Sequence, residues 1–119
     1  MWVLKQEAYK MTMLFDFYGN LLTEKQQCYF DLYYNQDFSL AEIAEQEGIS
    51  RQGVHDAINR AEALLLQMEQ ATGSLRRLQE LRSALQEISQ AAQSLAQHED
   101  THVRQSALRI LTAVSSVKE

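Results

Sequence analysis

Proline is absent from all 119 residues and glycine occurs only four times, so the strongest breaker of helix interiors is missing from every long run and helix is the default expectation. Cysteine is nearly absent too. Cys28 stands alone, which excludes an intramolecular disulfide and any multi-cysteine metal site. Its setting, Gln27-Cys28-Tyr29-Phe30, reads as a small buried hydrophobe inside a helix. No stretch approaches the roughly 18 apolar residues of a membrane span, and Met1 to Lys5 lacks a basic segment leading into an apolar one, so a soluble, cytoplasmic protein without membrane insertion is expected. Positive charge is also short, at 11 Lys and Arg against 16 Asp and Glu, a formal net charge of −5. Nucleic-acid binding draws most of its affinity from Lys and Arg at phosphates, so any such function has to be justified locally. No nucleophile and base pairing, glycine-rich phosphate loop or metal cluster is evident, which points to a binding module with no catalytic residues and no cofactor rather than an enzyme.

What is present is helical periodicity with well-placed stops. Leu4, Ala8, Met11, Leu14 or Phe15, and Tyr18 recur at helical spacing, and Gly19-Asn20 supplies residues that tolerate a left-handed stop. Thr23 with Gln26 forms a capping box that starts a second helix at Glu24, ended at about Tyr34 by Asn35-Gln36-Asp37. Ser39 with Glu42 repeats the box for a short helix, Leu40 to Gln46. Glu47-Gly48-Ile49 then makes a tight turn and Ser50 caps a longer helix that runs to Gly73-Ser74 with Val54, Ala57 or Ile58, Ala61, Leu64, Leu65 and Met68 on one side. Phe15, Phe17, Tyr18, Tyr29, Phe30, Tyr33 and Tyr34 are read as a core for this bundle rather than a base-stacking platform.

The segment from Phe38 to Ile58 has the spacing of a helix-turn-helix. Two helices crossing steeply through a short turn need a small residue at their contact, a glycine able to take positive φ, and apolar anchors on both sides. Ala44, Gly48, Ile49, Val54 and Ile58 are expected to supply these. A nucleic-acid-binding surface would then lie at the start of the second helix, on Ser50, Arg51, Gln52, His55 and Asn59, with Arg60 able to reach a phosphate. Arg51, Gln52 and Asn59 are of types that read base edges. The stretch 39–72 nevertheless sums to −4, which weighs against tight sequence-specific DNA binding by this module alone.

Residues 1–72 therefore read as a helical bundle with a helix-turn-helix at 39–66, and 73–119 as a C-terminal helical extension for dimerisation or partner binding. Ala61, Leu64, Met68, Ala71, Leu75 and Leu78 step by three and four, and the series resumes after a phase slip at Leu81, Leu85, Ile88, Ala92 and Leu95. After a turn at His98-Glu99-Asp100-Thr101, Val103, Ala107, Ile110, Val114 and Val117 share one face. The extension either closes as an antiparallel hairpin or meets a second chain, and a homodimer is expected. His98 and His102 lie four apart, but the turn between them argues against a metal site. With Arg76, Arg77, Arg82, Arg104, Arg109 and Lys118, the part from Gly73 onward is +1 overall, and Arg76, Arg77 and Arg82 are its candidate phosphate contacts.

The run Met13-Leu-Phe-Asp-Phe-Tyr-Gly-Asn-Leu-Leu-Thr-Glu-Lys-Gln-Gln-Cys-Tyr-Phe-Asp-Leu-Tyr-Tyr, followed by Asp37-Phe-Ser-Leu-Ala-Glu-Ile-Ala and Ile49-Ser-Arg-Gln-Gly-Val, resembles the YlxM family of bacterial helix-turn-helix proteins over roughly residues 8 to 70. Residues 39–66 also look like region four of sigma factors. The resemblance implies an all-α fold with a sigma-like core. It also implies a role in, or regulation of, co-translational targeting by the signal recognition particle, whose GTPase gene neighbours this family, with that GTPase or the particle's RNA as partner. By position, sigma-like contacts would fall on Ser50, Arg51, Gln52, His55 and Asn59. Gly53 and Asp56 stand where a sigma factor tends to place basic or amide side chains, which argues against promoter recognition. A DNA-binding transcriptional regulator acting as a dimer is the alternative, and a dimeric adaptor that binds no nucleic acid a third reading.

Overall fold

The computed structural model describes residues 2–117, in which all regular structure is helical. These residues form two compact units, one reaching Leu75 and the other beginning at Arg76. Leu4 on the expected first stripe and Lys118 in the basic group lie, as far as their side chains go, outside the described residues.

The first unit holds α1 (Trp2–Tyr18), α2 (Glu24–Tyr34), α3 (Leu40–Glu47) and α4 (Arg51–Thr72). Both capping boxes form: Thr23 Oγ1 accepts from Gln26 N at 3.2 Å while Thr23 N donates to Gln26 Oε1 at 3.0 Å, and Ser39 exchanges the same pair of bonds with Glu42, each at 3.0 Å. Each box satisfies two of the N–H groups that a helix start leaves without partners. Asp37, at φ 58, turns the chain out of α2 as expected. Gly19 does not behave as expected. It stays out of the left-handed region, and α1 leaves through a 3-10 turn, Gly19–Leu21, closed by Leu22 N donating to Gly19 O at 3.0 Å. Glycine gives close packing there, because a Cβ would sit 3.1 Å from Phe15 Cδ1 and the ring would have to give way slightly.

Two apolar clusters fill this unit. Leu14, Tyr18, Leu22, Phe30, Ala61, Leu65 and Leu75 form one, and Tyr29, Leu32, Ile43, Ala44, Val54 and Ile58 the other. Helices α2 and α4 contribute to both. On α4 the buried set is Val54, Ile58, Ala61 and Leu65, so Leu64, grouped with them by the sequence pattern, instead points outward at 37% exposure while Leu65 is at 0%. The aromatic residues are mostly core, as expected: Phe15 stacks on Phe30 at 4.5 Å and Phe30 on Tyr34 at 4.4 Å. Phe17 and Tyr33 are the exceptions, exposed at 40% and 38%. Cys28 is exposed as well, correcting the expectation of burial, because α2 turns Tyr29, Phe30 and Leu32 inward and leaves Cys28 on the other side, 3.8 Å from Glu47 Oε1. Partial burial first, then Glu47 and Asp31, push its thiol above 9.0.

Polar side chains fasten the ends of α1 and α4. The Tyr18 hydroxyl donates to Glu69 and lies 2.7 Å from Thr72 Oγ1, while Glu69 Oε1 also accepts from Leu75 N at 3.0 Å. Tyr34 donates to Glu62 on α4. Burial first, and then that carboxylate, raise the Tyr34 hydroxyl well above its ordinary 10.0.

In the second unit α5 (Ser74–Leu95) continues from Arg76, and α6 (Thr101–Ser115) follows a turn. Asp100 caps α6, its Oδ1 accepting from His102 N at 2.8 Å and Val103 N at 3.3 Å. His98 Nδ1 accepts from Asp100 N at 3.0 Å. Ser89 and Gln93 of α5 line one groove with Leu108, Leu111 and Thr112 of α6, so the hairpin closes within the chain. The single stripe with a phase slip between Leu78 and Leu81 does not form, because Gly73 takes φ 61 and ends α4 before α5 starts afresh. On α6 the inward residues are Val103, Ala107, Leu111 and Val114, while Ile110 is exposed, as is Val117 beyond the helix end.

Leu65→Ala is expected to cost about 2–5 kcal/mol in urea unfolding, and Leu64→Ala under about 1 kcal/mol; equal losses would contradict the phase of α4. Because the folded-state pKa of Tyr34 is raised, the stability it confers is complete below pH 10.0 and declines as pH climbs through the raised value. Tyr34→Phe should remove that alkaline component from a stability-against-pH profile.

Candidate nucleic-acid interface

Gly48 caps α3 in the left-handed conformation at φ 70, and its N–H donates to Ala44 O. One residue after Ile49 the chain re-enters a helix, where Ser50 Oγ accepts from Gly53 N at 3.0 Å. Ala44, Val54 and Ile58 close the crossing as expected. Ile49 does not: it is 38% exposed, and fully buried Ile43 is the anchor in its place. Ile43 follows the capping box by one residue, so its position on α3 was available as a signal from helical spacing alone.

This arrangement holds the start of α4 outward. Arg51, Gln52, His55, Asn59 and Arg60 are all exposed there, on one side of the helix at intervals of one, three and four. Several are braced along the helix rather than loose. Gln52 Nε2 donates to Asp56 Oδ1 at 2.9 Å, and Asn59 Nδ2 lies 3.3 Å from His55 Nδ1. His55 Nδ1 is also 3.9 Å from Asp56 Oδ1. Ser50 is different in kind, since its hydroxyl is engaged in the cap. Leu40, which sequence spacing marks only as a helix start, lines a shallow pocket with Arg51, Gln52 and His55.

Negative charge borders this surface. Glu42, Glu45 and Glu47 are exposed on α3. The backbone N–H of Ser39 first, and then its hydroxyl, hold the Glu42 carboxyl below 4.5, so this carboxylate stays ionised. Arg76, Arg77 and Arg82 belong to the second unit, exposed on α5, with Arg76 Nε 3.8 Å from Glu80 Oε1. The nine residues proposed from sequence thus divide into six at the start of α4 and three on α5. Among the described residues no three His, Cys, Asp or Glu lie together as metal ligands, and no helix is long and apolar enough to cross a membrane.

With the helix-turn-helix in place, comparison with known proteins is informative. The family model described as "Putative helix-turn-helix protein, YlxM / p13 like" matches residues 5–105. The chain belongs to this family. YlxM of Bacillus subtilis (strain 168) is 42% identical over 95 residues, covering 80% of this chain and 86% of that protein. A family member of Thermoanaerobacter sp. (strain X514) is 45% identical over 89 residues, 75% of this chain and 76% of the relative. A third, from Symbiobacterium thermophilum, is 46% identical over 100 residues, covering 76% and 94%. The YlxM/p13-like match extends well into α5 and reaches the first turn of α6, so the family is defined by more than its helix-turn-helix. A helix-turn-helix is a binding fold rather than a catalytic one.

The tight turn before α4 is the point at which the interface is most easily tested. Gly48→Ala should cost about 1–2 kcal/mol, because an L side chain disfavours this φ although space for the Cβ is open. Gly48→Asn, which tolerates that conformation better, should recover part of the loss in thermal unfolding.

Proposed function

We propose that this chain is a regulatory accessory protein of the signal-recognition-particle pathway, with the start of α4 as its nucleic-acid-binding surface and the particle's RNA or GTPase as its partner. The observation that carries the nucleic-acid part is the row Arg51, Gln52, His55, Asn59 and Arg60, held outward by the Gly48 turn and the Ser50 cap. Assignment to the targeting pathway rests on the resemblance to the YlxM family. The charge balance supports RNA or protein over duplex DNA as the main partner. A duplex presents a dense, regular line of phosphates, whereas residues 39–72 carry −4 with an acidic α3 beside the reading face. Single-stranded or looped RNA lets contacts be made to bases and a few phosphates. On this reading Arg76, Arg77 and Arg82 contribute phosphate contacts from α5.

The second reading, a DNA-binding regulator acting as a dimer, is favoured by one observation. Arg51 and Gln52 occupy the first turn of α4, where a recognition helix contacts base edges.

Titration of the purified chain against signal-recognition-particle RNA and random duplex DNA, at low and near-physiological salt, separates the readings. Preference for the RNA that survives physiological salt is expected, and Arg51→Ala should weaken binding and lower the salt slope by about 1. Binding only to duplex would favour the regulator. Binding to neither, together with no recovery of the GTPase in pull-downs, would overturn both.

A further inference from the structure

We infer that α5 is a dimerisation helix, on which a second copy of this chain packs antiparallel along Leu81, Ala84, Ile88, Ala91 and Leu95, with the twofold axis at Ile88. Leu81, Ile88 and Leu95 are 51%, 46% and 46% exposed, and Ala84 and Ala91 between them are exposed too. Their steps of three and four make a continuous seam of the kind that packs against another helix. The other apolar side of α5 is already occupied. Leu78, Leu85 and Ser89 are half-buried and Ala92 is buried, with α6 alongside. One seam is therefore filled within the chain and a second, of equal length, is left open.

Two features of the open seam point to a second copy as its occupant. A twofold interface needs a patch complementary to itself. Leu81 and Leu95 each lie seven residues from Ile88, with Ala84 and Ala91 four and three residues from it, so the alternation of large and small side chains reads the same in both directions. An antiparallel copy then brings Leu81 of one chain beside Leu95 of the other, and the alanines let the helices approach closely. Charge selects the same orientation. Arg76 and Arg77 precede Ile88 by twelve and eleven residues, and Glu99 and Asp100 follow it by eleven and twelve. Antiparallel pairing sets the basic end of each α5 against the acidic turn of the other copy, whereas parallel pairing would set like charges together. Exposed Leu108 and Ile110 of α6 add apolar surface to the same two-helix unit, which by itself is too small to bury it. The inference is independent of what the helix-turn-helix binds.

Sedimentation and light scattering of the full chain should give a mass near twice 13.7 kDa at concentrations on the order of 100 µM. Ile88→Asp should weaken the dimer at least about tenfold without loss of helicity, since Ile88 supports no intrachain core. Ser83→Asp, on another side of α5, should leave the dimer intact. In a Cys28→Ser background, Ile88→Cys should form an interchain disulfide, because the twofold axis brings the two copies of that position together, and Leu81→Cys should not. Arg77→Glu should weaken association, with Glu99→Arg in the same chain restoring it. A monomer at that concentration, a dimer indifferent to Ile88→Asp, or a disulfide through Leu81→Cys would each overturn the proposal.

Discussion

The first unit depends on the burial of one side of α4. Val54 and Ile58 fill the cluster beneath the helix-turn-helix, and two turns later Ala61 and Leu65 fill the cluster shared with α1 and α2. A rigid helix transmits position along its length, so the packing of Leu65 against Leu14 and Phe30 helps set where Arg51 and Gln52 point. The polar ties act in the same sense. Tyr34 to Glu62 and Tyr18 to Glu69 anchor α4 at two heights, and neither involves a residue of the exposed reading face. The core residues and the exposed polar row Arg51, Gln52, His55, Asn59 and Arg60 thus lie on different sides of one helix, which lets the outer side vary in chemistry without loss of the core.

That separation leaves an acidic chain with an exposed row of basic and amide side chains at the start of α4. Of the carboxylates of α3, Glu42 is committed to the backbone of Ser39 in the helix cap. On α4, Asp56 receives the Gln52 amide and lies near His55, so part of the negative charge on the reading face is engaged by its own neighbours. These bonds are exposed and individually worth little. Their effect is to set the side-chain geometry rather than to stabilise the fold, and a partner able to displace them would do so at small cost.

The second unit follows a different logic. In this two-helix unit Ala92 and Ala107 are the buried residues, while the larger apolar groups Leu81, Ile88, Leu95, Leu108 and Ile110 stay exposed. A hairpin of this kind is half of a helical bundle. Its turn is well built, with Asp100 capping α6 and Arg104 donating to the carbonyls of His98 and Glu99 at 3.1 and 2.7 Å, so the exposed surface sits on a defined framework.

The sequence by itself determined the helices and their punctuation. Both capping boxes, the Gly48 turn, the Ser50 start and the Asp100 turn were legible because each depends on residues three or four apart, whose interactions are local. It also indicated that Arg51, Gln52, His55 and Asn59 would be exposed, since exposure at the start of a capped helix follows from the cap. What only the tertiary structure decided is phase and partnership. Leu64 and Leu65 are equally apolar, and packing against α1 and α2 chose Leu65. Gly19 serves a close approach to Phe15, a contact outside the reach of backbone propensity, and Cys28 was left outside because Tyr29 and Phe30 beside it fill the core better. The stop at Gly73 was legible too, but periodicity records spacing only, so the stripe from Ala61 to Leu95 did not show which of its residues would be covered. Gly73, at φ 61, divides it between two helices, and α6 covers one side of the second helix and leaves the other open, since a single helix can shield only one side of its neighbour.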